Sequence, residues 1–243
     1  MSLRSAALTA LVLVSSFPAA RAQFSLGPRL GLNLARLHAS TSLDERHRLL
    51  PGVQVGVAAQ IRMGRWALQP AFVFSQKGSR NRYTVTNDFA QPAVTYREKT
   101  TIRVPYLELP LNLAYTPRWA HGVQAFAGPY VAIGIGGYSE SDPDPVTING
   151  YTLERYRAPL TYPTLFGGRG SVRWHDLGLN VGLGYQHQRL LVQLQQSFGA
   201  TNALPARNAD QEDAGRRHRV TSFTLTYLFG PKPQPDFMLD HAR

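Results

Sequence analysis

The chain has 243 residues, and its 26 Lys and Arg against 15 Asp and Glu give a formal net charge of +11. It contains no cysteine, which excludes disulfides, zinc–thiolate sites and cysteine nucleophiles. The mean hydropathy of -0.23 resembles that of a soluble protein, but strands that alternate lipid-facing and polar residues average to similar values. The basic charge suits lipid phosphates, acidic glycans or nucleic acid and does not choose among them.

The N-terminus carries the pattern of a cleaved signal peptide. A basic start precedes an apolar run over 6–17, which is too short to cross a membrane as a helix. A proline ends this run, and the Ala-Arg-Ala sequence that follows offers the small residues of a cleavage site. We therefore predict a signal peptide over residues 1–22 and a mature chain that starts at Gln23. A buried N-terminal helix is the alternative.

The mature chain is dominated by alternation with a period of two residues, which is the pattern of β-strands with two different faces. One face is rich in Leu, Val and aromatic residues, whereas the other consists of Gly, Ala, Ser, Asn and Gln with few charges. Eight such segments follow in chain order: 24–34, 53–63, 66–75, 107–115, 123–135, 176–185, 190–198 and 222–229.

The connections between these segments alternate in length, as in membrane barrels. The short ones are 64–65, 116–122 and 187–189. The long ones are 35–51, 77–100, 138–173 and 200–217. We predict an all-β, eight-stranded antiparallel transmembrane barrel over 23–230, with short periplasmic turns, long extracellular loops and a periplasmic tail over 231–243. The predicted location is the cell outer membrane, with the apolar face toward lipid.

The polar face predicts a narrow lumen that side chains fill. We expect a structural polar cluster there, formed by Arg29, Asn33, Glu108, Asn112, Asn180 and Gln193. A buried carboxylate needs a cation or hydrogen-bond donors. We therefore predict that Glu108 pairs with Arg29, with Arg62 or Tyr130 as alternative partners. The remaining alternative is that Glu108 sits in lumen water without a fixed partner.

The predicted outer loops are basic, and arginine suits the phosphates of lipopolysaccharide. Their cationic residues are Arg46, Arg48, Lys77, Arg80, Arg82, Arg97, Lys99, Arg155, Arg157, Arg207, Arg216 and Arg217. The expected partners are outer-membrane lipids, including lipopolysaccharide, and envelope or secretion-complex proteins. The alternative is solvated loop charge that is partly paired with loop carboxylates. No nucleic-acid partner is expected.

Short motifs recur along the chain in a fixed order: Gly-Pro-Arg-Leu-Gly-Leu-Asn at 27–33, Pro-Gly-Val-Gln-Val-Gly at 51–56, Leu-Gln-Pro at 68–70, Ser-Gln-Lys-Gly at 75–78, Tyr-Leu-Glu-Leu-Pro at 106–110, Gly-Pro-Tyr at 128–130, the stretch 176–185, and Phe-Gly at 198–199. Their order and spacing resemble the PorT-like outer-membrane β-barrel family over 24–229. This resemblance implies a small barrel in the outer membrane. The name-giving member is associated with a machinery that exports proteins across that membrane. The first hypothesis for this chain is therefore a structural or binding barrel that serves a secretion complex. The chain departs from barrels that end on an aromatic residue, because 231–243 follow Phe229.

A barrel enzyme acting on envelope lipids or peptides is the alternative function. Ser171, His175 and Asp176 are the residue types of a hydrolase triad, but neighbours in a strand point to opposite faces, so His175 and Asp176 should not hydrogen-bond each other. We therefore predict a protein that is not an enzyme, with no catalytic residues, no metal and no cofactor. A narrow solute pore is a third hypothesis, and the narrow lumen of eight strands disfavours it.

Overall fold

The computed structural model describes residues 23–38, 49–87, 94–143, 146–148, 151–153, 160–163, 172–203 and 216–230. The predicted signal peptide and the predicted tail lie outside the described residues. The strands are β1 (Gln23–His38), β2 (Leu50–Met63), β3 (Trp66–Asn87), β4 (Val94–Tyr115), β5 (Val123–Gly134), β6 (Tyr138–Pro143), β7 (Val146–Ile148), β8 (Tyr151–Leu153), β9 (Leu160–Pro163), β10 (His175–His187), β11 (Leu190–Asn202) and β12 (Arg217–Tyr227).

Eight of these strands close into a barrel. Each pairs antiparallel with the next in the order β1, β2, β3, β4, β5, β10, β11 and β12. The last strand returns to the first, with Leu30 of β1 opposite Leu225 of β12. Within the ring each strand therefore has a neighbour on both sides, so the wall itself has no open edge. The predicted eight-stranded antiparallel barrel is therefore confirmed.

The tight connections lie together at one end of the barrel, which we call the turn end. Turns at 64–65 and 188–189 and a short 3-10 turn at Arg118–Ala120 connect the strands there. The opposite end, where the long connections lie, is the loop end. No helix among the described residues is long and apolar enough to cross a membrane.

The two faces of the strands differ as the sequence predicted. Large apolar side chains point outward and remain exposed, whereas the residues between them point inward and are buried. On β1, for example, Leu32 is 63% exposed and its neighbour Asn33 only 1%. A barrel with its apolar side chains outside and its polar side chains inside is suited to a hydrocarbon environment, because closure of the ring lets neighbouring strands satisfy each other's backbone polar groups.

Aromatic side chains collect at the turn end. The rings of Trp66 and Tyr115 lie 4.8 Å apart, and those of Tyr227 and Phe229 lie 4.9 Å apart. Trp119 is 80% exposed at the same end. Amphipathic rings in this position form the aromatic girdle that membrane barrels place at the lipid–water interface.

Two barrel strands extend far beyond the others at the loop end. β3 and β4 have 22 residues each, and their ladder continues from Lys77↔Val104 to Asn87↔Val94. The predicted loop over 77–100 is therefore wrong, since most of it forms a β-hairpin. Alternation of apolar and polar residues is needed only where lipid covers one face, so a ladder above the lipid does not show it.

Short strands widen this hairpin into a small outer sheet. β6 pairs with the outer half of β4, from Arg103↔Tyr138 to Glu98↔Pro143, and β9 pairs with β6. β7 pairs with β8 and, at Thr95↔Thr147, with β4. The predicted loop over 138–173 thus contains four short strands that the sequence pattern did not reveal.

The inward glycine Gly182 makes room for an aromatic ring of the neighbouring strand β5. A Cβ atom at Gly182 would lie 2.4 Å from Cζ of Phe126 and 2.3 Å from the carbonyl oxygen of Leu194. The atoms nearest to a Cβ atom at Gly184, two residues along the same strand, belong to the flexible side chains of Gln124 and Gln193, at 3.1 Å or more. The interior therefore has no room for a methyl group at Gly182, whereas flexible side chains can move to accommodate one at Gly184.

Gly182→Ala is expected to destabilise the barrel by about 1–3 kcal/mol, because the ring and the neighbouring backbone must move to admit a methyl group. Gly184→Ala should cost less, and it serves as the matched control. Urea-induced unfolding in lipid vesicles, followed by tryptophan fluorescence, measures both. Equal losses for the two variants would contradict the predicted packing difference.

Candidate functional site in the barrel lumen

The six residues of the predicted lumen cluster all point into the barrel and are buried. They come from four strands, and the structure distributes them along the lumen. The residues are Arg29 and Asn33 on β1, Glu108 and Asn112 on β4, Asn180 on β10 and Gln193 on β11.

A chain of glutamines crosses the lumen toward the turn end. Gln193 Nε2 donates to Gln69 Oε1 at 3.0 Å, and Gln69 Nε2 donates to Gln124 Oε1 at 3.0 Å. Gln69 is on β3 and Gln193 is on β11, which stand opposite each other in the ring of eight strands. Their hydrogen bond therefore spans the full width of the barrel.

Two further contacts also join opposite walls. Gln60 Nε2 of β2 donates to Gln186 Oε1 of β10 at 3.0 Å. The hydroxyl of Tyr106 on β4 lies 3.5 Å from Nε2 of His218 on β12, and both side chains are buried. Because these pairs lie at different heights, side chains block the lumen at more than one level.

Asn33 of β1 links β3 and β12 within the same interior. Its Nδ2 donates to Ser75 Oγ at 3.1 Å, and its Oδ1 accepts a hydrogen bond from Ser222 Oγ at 2.8 Å. The amide atoms of Asn112 and Asn180, by contrast, have no hydrogen-bond partner among the described residues. The predicted cluster thus contains one well-bonded asparagine and two whose amides face the interior without such bonds.

A buried charged cluster lies toward the loop end. Lys77 Nζ is 2.8 Å from Glu108 Oε2 and 3.2 Å from Asp176 Oδ2. The Tyr130 hydroxyl donates to Asp176 Oδ2 at 2.9 Å. The ammonium group also lies 4.3 Å from the Tyr130 ring centroid and 5.4 Å from that of Tyr106. One cation therefore joins two carboxylates and two aromatic faces.

Two predictions about charge are corrected here. Lys77 was placed in an outer loop, whereas it points into the lumen and is 2% exposed. It takes the place beside Glu108 for which Arg29 was the first candidate. Arg29 is also buried and interacts electrostatically with Glu108, but its Nε and Nη2 make no hydrogen bond within the described part of the chain. The alternative partner Arg62 contacts Gln186 instead.

The cluster contains functional-site residues that the sequence-based prediction missed. The sequence pattern singles out Asp176 only among the hydrolase-like residues and does not connect it to the cluster. Lys77 follows Gln69 and Ser75 on the inward parity of β3, so continuing the alternation by one more step would have placed it inside. His218 gave no such signal, because it lies above the segment where alternation is visible.

The hydrolase-like residues do not assemble among the described residues. Asp176 is buried in the lumen, whereas His175 packs edge-on against Trp174, with ring centroids 4.8 Å apart. Ser171 lies outside the described residues. Since the partners of Glu108 and Asp176 are themselves buried, the charged cluster is sealed from bulk water. Its arrangement neutralises charge and joins β3, β4, β5 and β10 inside the barrel.

Several solved structures are similar to this chain. Neisserial surface protein A has 10% sequence identity and a TM-score of 0.41, with 85% of this chain and 97% of that chain covered. Ail, the attachment invasion locus protein of Yersinia pestis, solved with the heparin analogue sucrose octasulfate, has 9% identity and a TM-score of 0.39, covering 86% and 99%. The translocator domain of the autotransporter NalP from Neisseria meningitidis has 8% identity and a TM-score of 0.27, covering 93% and 95%.

No curated protein sequence matches the chain significantly. A family model does match it, independently of the structural likenesses above. The match covers residues 16–204, which include most of the barrel strands. The family places the chain in the outer membrane, in agreement with the exposed apolar belt and the closed ring of strands. The chain belongs to the family described as outer membrane protein beta-barrel domain.

Proposed function

We propose that this protein is a closed, non-enzymatic barrel that anchors a binding surface in the outer membrane. The observation that carries the proposal is the set of hydrogen bonds that join opposite walls of the lumen, at Gln69–Gln193 and Gln60–Gln186. A lumen filled in this way favours an anchor over a solute pore. The binding function then belongs to the parts of the chain outside the barrel wall.

The outer sheet is the part best suited to meet a partner. The β3–β4 hairpin rises above the barrel, and β6 and β9 extend it sideways. β9 is fully exposed along its length, and Tyr162 within it is 53% exposed. A partner with a flat or extended surface could pack on this sheet or pair with its edge.

We further propose the finer features that the sequence motifs imply. These are a PorT-like subtype, association with a protein secretion machinery and cleavage of a signal peptide before Gln23. Outer-membrane lipids, including lipopolysaccharide, are the proposed lipid partners. The motif resemblance supports the secretion role, and the basic residues at the loop end support the lipid partners.

Shortening the hairpin tests the binding function. Removing 82–99 and joining Asn81 to Thr100 through an Asn-Gly turn keeps the register of the remaining ladder, because these two residues face each other. We expect this variant to fold and to lose the envelope proteins that co-purify with the wild type from native membranes. Replacing Gln188 and Arg189 with Asn-Gly at the turn end is the matched control, and it should retain them.

Two results would count against the proposal. One is the same set of co-purifying proteins with the shortened hairpin and with the wild type. The other is steady ion conductance of the wild-type barrel in planar lipid bilayers, since a filled lumen should not conduct. Heat-dependent gel mobility of each variant establishes that the barrel has folded.

A further inference from the structure

Two arginines lie side by side on the lipid-facing surface of the barrel near the loop end. Arg36 of β1 and Arg219 of β12 are directly opposite each other in the antiparallel pair, so their side chains project from the same face. Arg36 is exposed, and Arg217, which precedes Arg219 by two residues on β12, is exposed on that face as well. Like charges in this arrangement repel each other unless an anion lies between them.

An open pocket of about 450 Å³ adjoins this pair. Its lining residues include the two arginines together with Leu34 and Phe198, and among the described residues that line it there is no Asp or Glu. The pocket therefore combines two positive charges with apolar walls. This combination differs from an ordinary surface ion-pair network, in which carboxylates balance the arginines.

The other contacts in the pocket leave the guanidinium edges available. Arg219 stacks on the ring of Phe198 with its Cζ atom 4.5 Å from the ring centroid, which occupies the flat face of the guanidinium and not its N–H edge. The two polar neighbours are already bonded to each other, because the Thr221 hydroxyl donates to Gln196 Oε1 at 2.7 Å. The arginines are thus the cationic donors of the pocket.

Along the barrel axis, the pair of arginines lies at the level expected for the outer lipid headgroups. The Leu26–Phe229 bridge lies at the turn end, within the aromatic girdle. The pair of Arg36 and Arg219 lies about 25 Å further along the barrel axis, for a rise of about 3.3 Å per residue and a tilt of about 40°. This distance equals the height of the apolar band of an outer-membrane barrel, about 25 Å.

Below the pocket, from Leu32 toward the turn end, the outward surface of β1 and β12 is apolar. Leu32 pairs with Phe223 and Leu30 pairs with Leu225, and all four side chains are exposed. A ligand that reaches from the pocket along this surface would place an anionic group between the arginines and hydrocarbon against the leucines. A phosphorylated lipid of the outer leaflet has this shape and charge.

We propose that Arg36 and Arg219 bind the phosphate groups of a phosphorylated glycolipid headgroup. Leu34, Phe198 and the apolar side chains below them contact its acyl chains. The inference rests on the proposed lipid partnership of the barrel and assigns it a site. Two guanidinium groups with a common approach direction can hold a phosphate through several charge-assisted hydrogen bonds.

The test uses the full-length mature barrel in detergent micelles and native mass spectrometry with purified lipid A. The double variant Arg36→Gln/Arg219→Gln should retain lipid A at least about tenfold more weakly than the wild type, because both charged donor groups are lost. The control Arg65→Gln/Arg189→Gln removes the same charge from the turn end and should bind as the wild type. Dephosphorylated lipid A should bind wild type and double variant equally weakly.

Three results would overturn the proposal. These are unchanged lipid A binding by the double variant, an equal loss in the Arg65→Gln/Arg189→Gln control, and complete displacement of lipid A by excess inorganic phosphate, which would indicate a simple anion site. Heat-dependent gel mobility verifies folding of every variant. The conductance and co-purification measurements do not involve these arginines, so they decide the anchoring function separately.

Discussion

The Lys77→Met variant is expected to lose about 3–5 kcal/mol of folding free energy, because it leaves two buried carboxylates without their shared cation. Lys77 Nζ contacts Glu108 at 2.8 Å and Asp176 at 3.2 Å, and all three side chains are almost fully buried. Methionine preserves an unbranched apolar side chain, so most of the loss should come from the missing charge. Urea-induced unfolding in lipid vesicles measures the change.

The double variant Lys77→Met/Asp176→Asn is the matched test of this reason. It restores the balance of charge, because Arg29 and Glu108 remain as one buried cation and one buried carboxylate. The Tyr130 hydroxyl can still donate to the oxygen of an asparagine at 176, as it does to Asp176. We expect the double variant to recover a large part of the stability. A double variant less stable than Lys77→Met would show that charge imbalance is not the cause.

The sequence reveals the parts of the fold that contact lipid. In the membrane, each strand must present apolar side chains to hydrocarbon on one face and small or polar groups to a narrow lumen on the other. That requirement produces an alternation with a period of two residues, as in Leu30, Leu32 and Leu34 of β1. The strand count, the faces and the interior position of Asn33 followed from this pattern, and the structure agrees with them.

Above the lipid the same requirement disappears. The outer half of the β3–β4 hairpin pairs by backbone hydrogen bonds, for which side-chain alternation is not needed. The sequence over 77–100 therefore looked like a loop, and Lys77 was assigned to it. The sequence pattern therefore predicts an extracellular position for Lys77, although its side chain is buried in the lumen.

Partners across the lumen could not be predicted from spacing along the chain. Which side chains meet depends on the stagger between strands as the ring closes, and a local pattern does not contain that stagger. Arg29 and Glu108 stand on nearly opposite strands, as predicted, but Lys77 reaches the carboxylate from the adjacent strand β3. Similarly, nothing local to β4 or β12 indicates that Tyr106 lies beside His218.

Arginine on the lipid-facing belt should impair assembly of the barrel. Leu111 on β4 and Val181 on β10 point outward within the apolar band and are 45% and 36% exposed. A cation near the bilayer midplane of such a barrel costs roughly 2–4 kcal/mol, because lipid cannot solvate it. Leu111→Arg and Val181→Arg should therefore each lower the unfolding free energy in vesicles and reduce the folded fraction on heat-dependent gels.

The neighbouring asparagines provide controls one residue away on the opposite face. Asn112 and Asn180 are fully buried in the lumen, and their amide atoms have no hydrogen-bond partner within the described residues. Removing an amide that makes no such bond costs little stability. Asn112→Ala and Asn180→Ala should therefore lower the unfolding free energy less than the arginine substitutions do. If the alanine variants failed to assemble while both arginine variants assembled normally, the lipid-facing and lumen-facing sides of the strands would have to be exchanged.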